Sequence, residues 1–176
     1  MRRKESETIA VTEVNATVNW VHAYEAYARD LLGFLRRTTG NQATAEDLLH
    51  EAFARAIAST TPVGVGDARP WLFKIAANLA ASHLRRRRLL TFVALRSVHS
   101  SAPEAFDIEG EHVRRALRSI PPDQAICLTL ALHQGFTRRE IAEMLRVSEE
   151  TIKSRLARGR RNFAAAYRRL ERGLAR

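Results

Sequence analysis

Residues 137–163 carry the side chains best suited to contact a nucleic acid. In TRREIAEMLRVSEETIKSRLARGRRNF, two helical patterns flank the short turn at residues 146–148, and apolar residues recur on the inner side of both. This spacing predicts a helix-turn-helix, whose second helix lies in the major groove of DNA. The residues expected to face base edges are Glu149, Glu150, Thr151, Lys153, Ser154 and Arg155. Those expected on backbone phosphates are Arg158, Arg160 and Arg161.

Two alternatives stay open for this segment. A glutamate can accept a hydrogen bond from cytosine N4, but carboxylates in a first helical turn also interact favourably with the helix dipole. Glu149 and Glu150 could therefore be contacts to bases or purely structural residues. The whole segment could also be a solvated basic hairpin, but the coincidence of a cap, a turn and one-sided charge favours DNA binding.

A second basic group ends the segment 70–88, PWLFKIAANLAASHLRRRR. Its four consecutive arginines fan around the end of a predicted helix, as expected for attachment to a nucleic-acid backbone: Arg85, Arg86, Arg87 and Arg88. The alternative is a helix C-terminus that is merely solvated, since cations are favourable there. Beside the Pro- and Gly-containing loop 59–69, three polar residues could form a pocket for an unstacked base: Asn78, Ser82 and His83.

A third group lies on one face of the helix predicted over residues 45–57. Asp47, His50, Glu51 and Ala54 recur at three- and four-residue spacing. This face is either an ordinary solvated surface or a docking surface for a protein partner.

The sequence gives little support for catalysis or metal binding. Asp47-x-x-His50 and Glu109-x-x-His112 have the spacing of di-iron helical bundles, but such sites need two further carboxylates on facing helices. No phosphate-loop, dinucleotide-binding, hydrolase or zinc-protease motif occurs, and the lone Cys127 excludes a cysteine-cluster zinc site. We therefore predict no enzymatic activity, no metal and no cofactor.

The charge distribution favours a polyanionic partner. The 176-residue chain has 29 Lys and Arg against 19 Asp and Glu, a net charge of +10. Residues 59–88 hold six basic and one acidic residue, residues 121–176 hold 12 basic and six acidic, and residues 89–120 hold four of each. Two basic blocks divided by a neutral stretch suit nucleic acid contacted at two places. Neither block has the broad apolar face of a membrane-surface helix.

Helical periodicity predicts an all-α fold of two small domains joined by a flexible linker. A first helix ends at Gly40-Asn41, a second begins with Thr44 as its N-cap, and a third begins near Pro70. The pattern fades between about Leu90 and Gly110, which predicts the linker.

Beyond the linker, we expect a short helix over residues 113–119, a helix over residues 123–133, and the helix-turn-helix, capped by Thr137 and Ser148. The predicted boundaries are an amino-terminal extension 1–19, a three-helix domain 20–89, a linker 90–111 and a helix-turn-helix domain 112–176. No apolar run approaches the roughly 20 residues of a membrane span. The basic start also lacks a signal-peptide core, so we expect a cytoplasmic protein.

Three segments resemble bacterial extracytoplasmic-function sigma factors: residues 45–57 (AEDLLHEAFARAI), residues 70–88, and residues 116–163. The likeness covers about residues 20–168, in the family's order. It implies an alternative sigma factor, which binds core RNA polymerase and directs promoter-specific initiation of transcription. The implied partners are core polymerase, promoter DNA and an anti-sigma protein.

The resemblance also implies roles for single residues. Residues 20–89 correspond to sigma region 2, which docks on the clamp helices of the polymerase β′ subunit and recognises and melts the −10 element. The docking motif is matched by Asp47, Leu48, His50 and Glu51. Asn78 and the loop 59–69 match the pocket for a flipped −10 base.

The second domain corresponds to region 4, which binds the β flap and recognises the −35 element through the helix after Ser148. Gly159 stands within that helix where the family usually has alanine or another helix-forming residue, at a cost of about 1 kcal/mol. The rival hypothesis is a conventional dimeric helix-turn-helix regulator that binds duplex DNA without polymerase. It would leave the docking helix and the four arginines unexplained.

Overall fold

The computed structural model describes residues 18–59, 68–93 and 108–174. These ranges form seven α-helices: α1 (Trp20–Thr39), α2 (Gln42–Ile57), α3 (Ala68–Val93), α4 (Ile108–Ser119), α5 (Pro122–Leu128), α6 (Arg138–Leu145) and α7 (Glu149–Leu174). A π-helical turn, Thr129–His133, continues α5. No strand occurs within the described ranges, and the all-α prediction is confirmed.

The amino-terminal module consists of α1, α2 and α3. Asn19 caps α1, and α1 ends at Gly40, whose φ of 69° is the left-handed conformation that glycine adopts readily. The α2 helix begins after Asn41, whose side chain accepts a hydrogen bond from the Thr44 amide at 2.8 Å. The prediction of Thr44 as N-cap is therefore wrong, because Asn41 is an equally good cap and comes three residues earlier.

The described helices extend past the predicted limits of the linker. The α3 helix continues to Val93, beyond the expected domain limit of 89, and α4 already begins at Ile108, before the expected limit of 112. Pro70 lies in the first turn of α3, as expected. The extension 1–17, residues 60–67 of the loop and residues 94–107 of the linker lie outside the described residues.

The carboxyl-terminal module consists of α4 to α7. Thr137 and Glu140 form the predicted capping box at the start of α6, with hydrogen bonds of 3.3 and 2.7 Å to each other's amides. The turn between α6 and α7 is made by Arg146, which is left-handed at φ 53°. Ser148 then caps α7 through the Thr151 amide at 3.2 Å. Both predicted caps of the helix-turn-helix are confirmed.

Gly159 has a packing role that its sequence position did not indicate. It is buried in α7, where a Cβ would lie 3.2 Å from the Leu128 side chain and 3.3 Å from Cβ of Gln124. The glycine lets α7 approach α5 closely, which offsets its unfavourable helix propensity.

The two modules share one continuous core. Phe73 of α3 contacts Phe34 of α1 at 5.6 Å between ring centroids and Phe136, just before α6, at 5.1 Å. All three rings are buried, and buried residues from both modules belong to the same cluster. The described parts of the chain therefore form one packed unit rather than two separate bodies.

Gly33 within α1 and Gly40 directly after it give opposite predictions for stability. Gly33→Ala should raise the unfolding free energy by about 0.5–1 kcal/mol, because it lies within the helix and a Cβ would meet only the flexible end of Arg37. Gly40→Ala should lower it by about 1–3 kcal/mol, because of its positive φ and the Arg118 side chain that a Cβ would strike. Urea unfolding of both variants measures the difference, and equal effects would contradict this assignment.

Candidate nucleic-acid interface

The helix-turn-helix presents the start of α7 to solvent. Ile141 of α6 and Ile152 of α7 are fully buried, and Ala142 is nearly so, which fixes the crossing of the two helices. Six of the predicted DNA contacts are exposed: Glu149, Glu150, Lys153, Arg158, Arg160 and Arg161. The exposed face of α7 therefore combines two carboxylates at its start with cations further along.

Three of the predicted contacts are only half-exposed and already have partners or neighbours within the module. Arg155 Nε lies 3.2 Å from Asp123 Oδ2, so its guanidinium ties α7 to α5. The Thr151 hydroxyl lies 2.9 Å from that of Ser148, within the cap of α7. Ser154 is half-buried, and its carbonyl accepts a hydrogen bond from Arg158 at 3.4 Å. Arg155 in particular has a structural role that its position in the motif did not reveal.

One of the two acidic residues at the start of α7 has a partner on the same helix. Lys153 Nζ lies 3.3 Å from Glu150 Oε2, and both side chains are mostly exposed. Such an exposed pair contributes little to stability. Both groups can therefore exchange partners at little cost when a ligand approaches.

The predicted residues of α3 follow its exposed side towards its carboxyl end. Asn78 and Ser82 are exposed, His83 is half-buried, and the four arginines from Arg85 to Arg88 are exposed. Arg85 donates to the Ser82 hydroxyl at 3.1 Å. Burial, together with Arg87 and Arg86, lowers the pKa of His83 below its ordinary value. The imidazole is therefore neutral at pH 7 and adds no charge to this basic end.

Two of these arginines also contact main-chain carbonyls at helix ends. Arg87 donates to the Thr39 carbonyl at 3.5 Å, which ties α3 to α1. Arg88 donates to the Ile120 carbonyl of the other module at 2.8 Å. Carbonyls at the end of a helix lack partners within that helix, and cations are favourable there.

Arg69 and Arg118 were missed by the sequence analysis. Arg69 donates to the Gln134 carbonyl at 2.8 Å, and its guanidinium lies 4.3 Å from the centre of the Phe136 ring. Arg118 donates to the Gly40 carbonyl at 3.0 Å. No local signal could have found them, because their partners lie 65 and 78 residues away in the chain.

The predicted docking face of α2 is exposed. Asp47, His50, Glu51 and Ala54 are all exposed, and Arg55 pairs with Glu51 at 2.6 Å. Leu48, the fourth residue of the motif, is only 8% exposed and packs in the core. Its contribution to this face is to hold the helix in place.

The remaining chemistry-bearing side chains are dispersed. The described residues contain no group of three or more His, Cys, Asp or Glu side chains able to hold a metal ion. Cys127 is fully buried, and burial raises the pKa of its thiol to about 11. No helix of the described ranges combines the length and apolar character that crossing a bilayer requires.

Comparison with known proteins identifies both modules. The family model for sigma-70 region 2 matches residues 23–90, and that for sigma-70 region 4 matches residues 111–163. The amino-terminal module is therefore similar to region 2 and the carboxyl-terminal module to region 4.

Several curated relatives are similar over most of this chain. The ECF RNA polymerase sigma factor EcfG of Rhodopseudomonas palustris is 33% identical, over 77% of each chain. SigM of Bacillus subtilis is 28% identical, over 83% of this chain and 93% of its own. SigE of Mycolicibacterium smegmatis is 30% identical, and the match spans 84% of this chain and 61% of that protein.

A solved structure supports the fold. The sigma factor RpoE from Bartonella quintana, crystallised with the anti-sigma factor NepR, superimposes with a TM-score of 0.66 at 21% identity, over 85% of this chain and 96% of that one. The two family models and the curated sigma-factor relatives support the sigma-factor hypothesis over the conventional dimeric regulator. The chain belongs to the extracytoplasmic-function group of the sigma-70 family of RNA polymerase sigma factors.

Proposed function

We propose that this protein is an alternative sigma factor that binds core RNA polymerase and directs it to a specific promoter. The observation that carries the proposal is the presence of three separate surfaces on one chain. They are the exposed face of α2, the basic end of α3, and the exposed start of α7. A regulator that binds duplex DNA alone would need only the third.

The α2 face would dock on the clamp helices of the β′ subunit. Asp47 and Glu51 supply its negative charge, and His50 lies between them on the same exposed side. Charge complementarity mainly sets partner specificity and the rate of association. The buried Leu48 keeps these three side chains in register.

The exposed side of α3 would hold the melted −10 strand. Unstacking costs a few kcal/mol per base. Contacts from Asn78 and Ser82 to an extruded base, with Arg85 and Arg86 on neighbouring phosphates, would offset this cost. Neutral His83 would contribute a polar surface rather than a charge.

The start of α7 would recognise the −35 element, with the region-4 module also contacting the β flap. Lys153, Glu149 and Glu150 would contact base edges, and Arg158, Arg160 and Arg161 would contact phosphates. All six side chains are exposed. The protein would perform no covalent chemistry and would act in the cytoplasm, where promoter DNA and polymerase are found. An anti-sigma protein would be its inhibitor.

Reconstitution tests this function directly. The purified chain is mixed with core RNA polymerase, passed over a size-exclusion column, and then supplied with a promoter library. We expect co-elution and specific transcripts that core polymerase alone does not make. Duplex binding without co-elution would support the conventional regulator instead.

Reversing one charge on α2 tests the docking face. Asp47→Arg should lower affinity for core polymerase about tenfold or more, because it replaces an exposed carboxylate of the proposed docking face with a cation. Biolayer interferometry with immobilised core polymerase measures the change. Glu25→Arg, the same reversal at an exposed position of α1, is the matched control and should bind as the wild type does.

Salt dependence tests the basic end of α3. The double variant Arg85→Ala/Arg86→Ala spares Arg87 and Arg88, which bond to carbonyls. It should weaken open-complex formation and reduce the slope of log K against log salt by about one per lost phosphate contact. Arg29→Ala, exposed on α1, is the control for lost charge. An unchanged slope in the double variant would contradict the assignment.

The α7 helix offers two closely matched arginines with which to test the −35 contact. Arg158 and Arg168 are both exposed, and each donates from Nε to the carbonyl four residues earlier, at 3.4 and 3.1 Å. Their positions differ by about 15 Å along the helix. Arg158→Ala should weaken promoter binding by the holoenzyme and lower the salt slope by about one. Equal effects of Arg158→Ala and Arg168→Ala would place the interface elsewhere on α7.

A further inference from the structure

A cavity of about 460 Å³ lies where α1, α3, α4 and α5 meet. Pockets that hold small molecules have volumes of roughly 300–1,000 Å³, whereas close-packed cores leave few voids larger than a water molecule. The lining that the structure describes has an aliphatic part and a cationic part. The aliphatic residues are Leu84, Leu117, Ile120, Pro122 and Ala125.

The cationic part of the lining consists of three arginines from two helices. Arg87 of α3 donates to the Thr39 carbonyl at 3.5 Å. Arg118 of α4 donates to the Gly40 carbonyl at 3.0 Å. Because those two carbonyls belong to consecutive residues, the two guanidinium groups are held close together at the end of α1. Arg88 of α3 donates at 2.8 Å to the carbonyl directly after α4.

The charge of these arginines makes the cavity a favourable place for an anion. Glu111 pairs with Arg118 at 3.1 Å, but the same carboxylate also pairs with Arg114 at 3.0 Å. No Asp or Glu belongs to the described lining. Carbonyl oxygens hold a guanidinium without cancelling its charge, and electrostatic attraction is stronger in a partly enclosed site than in bulk water.

The two parts of the lining together indicate the chemical class of the ligand. A phosphate monoester carries a charge of about −1.5 to −2 at pH 7 and has three strong acceptor oxygens, which suits three guanidinium groups. Arginine binds phosphate through two parallel hydrogen bonds. Nucleobases stack on aromatic side chains, and none belongs to the lining residues that the structure describes. The aliphatic part therefore favours an alkyl group over a nucleobase.

We propose that this cavity binds a small phosphate monoester with an aliphatic body. The phosphate lies among Arg87, Arg88 and Arg118, and the aliphatic body packs on Leu117 and Ala125. Those two apolar side chains are buried between helices, where a bilayer cannot reach, so the ligand is a free compound. The proposal does not depend on the sigma-factor function, and its test contains neither polymerase nor DNA.

Isothermal titration calorimetry of the full chain tests the ligand class. Octyl phosphate, kept below micelle-forming concentrations, should bind at least about tenfold more tightly than inorganic phosphate, which lacks the apolar part, or octyl glucoside, which lacks the charge. Adenosine monophosphate should also bind at least about tenfold more weakly than octyl phosphate, because it offers a nucleobase to an aliphatic surface. Octyl phosphate should raise the midpoint of thermal unfolding. Equal affinity for any of the three other compounds would overturn the proposal.

Removing one cation tests the phosphate end of the site. Arg88→Gln should lower affinity for octyl phosphate about tenfold, because a charge-assisted hydrogen bond is lost. Arg115→Gln removes the same charge from an exposed position of α4 outside the described lining, and it should bind as the wild type does. Equal losses in the two variants would mean general attraction to a basic protein and would contradict the assignment.

Filling the cavity tests the aliphatic end with every arginine in place. Ala125→Leu extends a side chain into the space of the ligand and should abolish octyl phosphate binding. Circular dichroism checks that the variant keeps its helices; where it does not, the comparison of Arg88→Gln with Arg115→Gln decides. Undiminished binding of octyl phosphate by folded Ala125→Leu would place the ligand elsewhere.

Vesicles distinguish a free compound from a membrane lipid. Phosphatidylcholine vesicles that contain phosphatidic acid present a phosphate monoester on a bilayer, and the basic chain is expected to be attracted to their surface. This attraction should be the same in the wild type and in Ala125→Leu, since the cavity takes no part in it. Vesicle binding that falls in Ala125→Leu would show that the cavity takes a membrane lipid, and it would overturn the assignment to a free compound.

Discussion

Phe73 is the side chain on which the arrangement of both modules depends. Its ring is fully buried and lies edge to face between Phe34 of the first module and Phe136 of the second. Aromatic pairs of this geometry contribute about 0.5–1.5 kcal/mol beyond the area that they bury. Because one ring belongs to two interfaces, α3 cannot move relative to α1 without also disturbing the segment that enters the helix-turn-helix.

This double burial explains where α3 carries its polar residues. Leu72, Phe73, Ala76, Ala77 and Ala80 are all fully buried, and they face more than one side of the helix. Small alanines let α1, α2 and the carboxyl-terminal module approach α3 closely. Among the described side chains of α3, polar residues are left one exposed strip and the stretches near the two ends. Asn78 and Ser82 occupy the strip, and arginines occupy both ends.

Structural features that are completed by near neighbours in the sequence could be predicted, whereas contacts between residues far apart in the chain could not. The caps at Thr137 and Ser148 could be predicted because each is completed within three residues. At α2 two good capping residues lay three positions apart, and pattern alone could not rank them. The helix-turn-helix, the exposed α2 face and the cationic end of α3 were all recognisable from spacing. Arg88 illustrates the limit, because an arginine that bonds to a carbonyl and one that binds a phosphate look the same in sequence.

The arginines of α3 that contact the second module end on neutral carbonyls, Gln134 for Arg69 and Ile120 for Arg88. Bonds of this kind depend little on ionic strength, whereas contacts between arginines and phosphates weaken steeply as salt is added. The attachment of the second module to α3 is therefore expected to persist at salt concentrations that dissociate contacts to a nucleic acid.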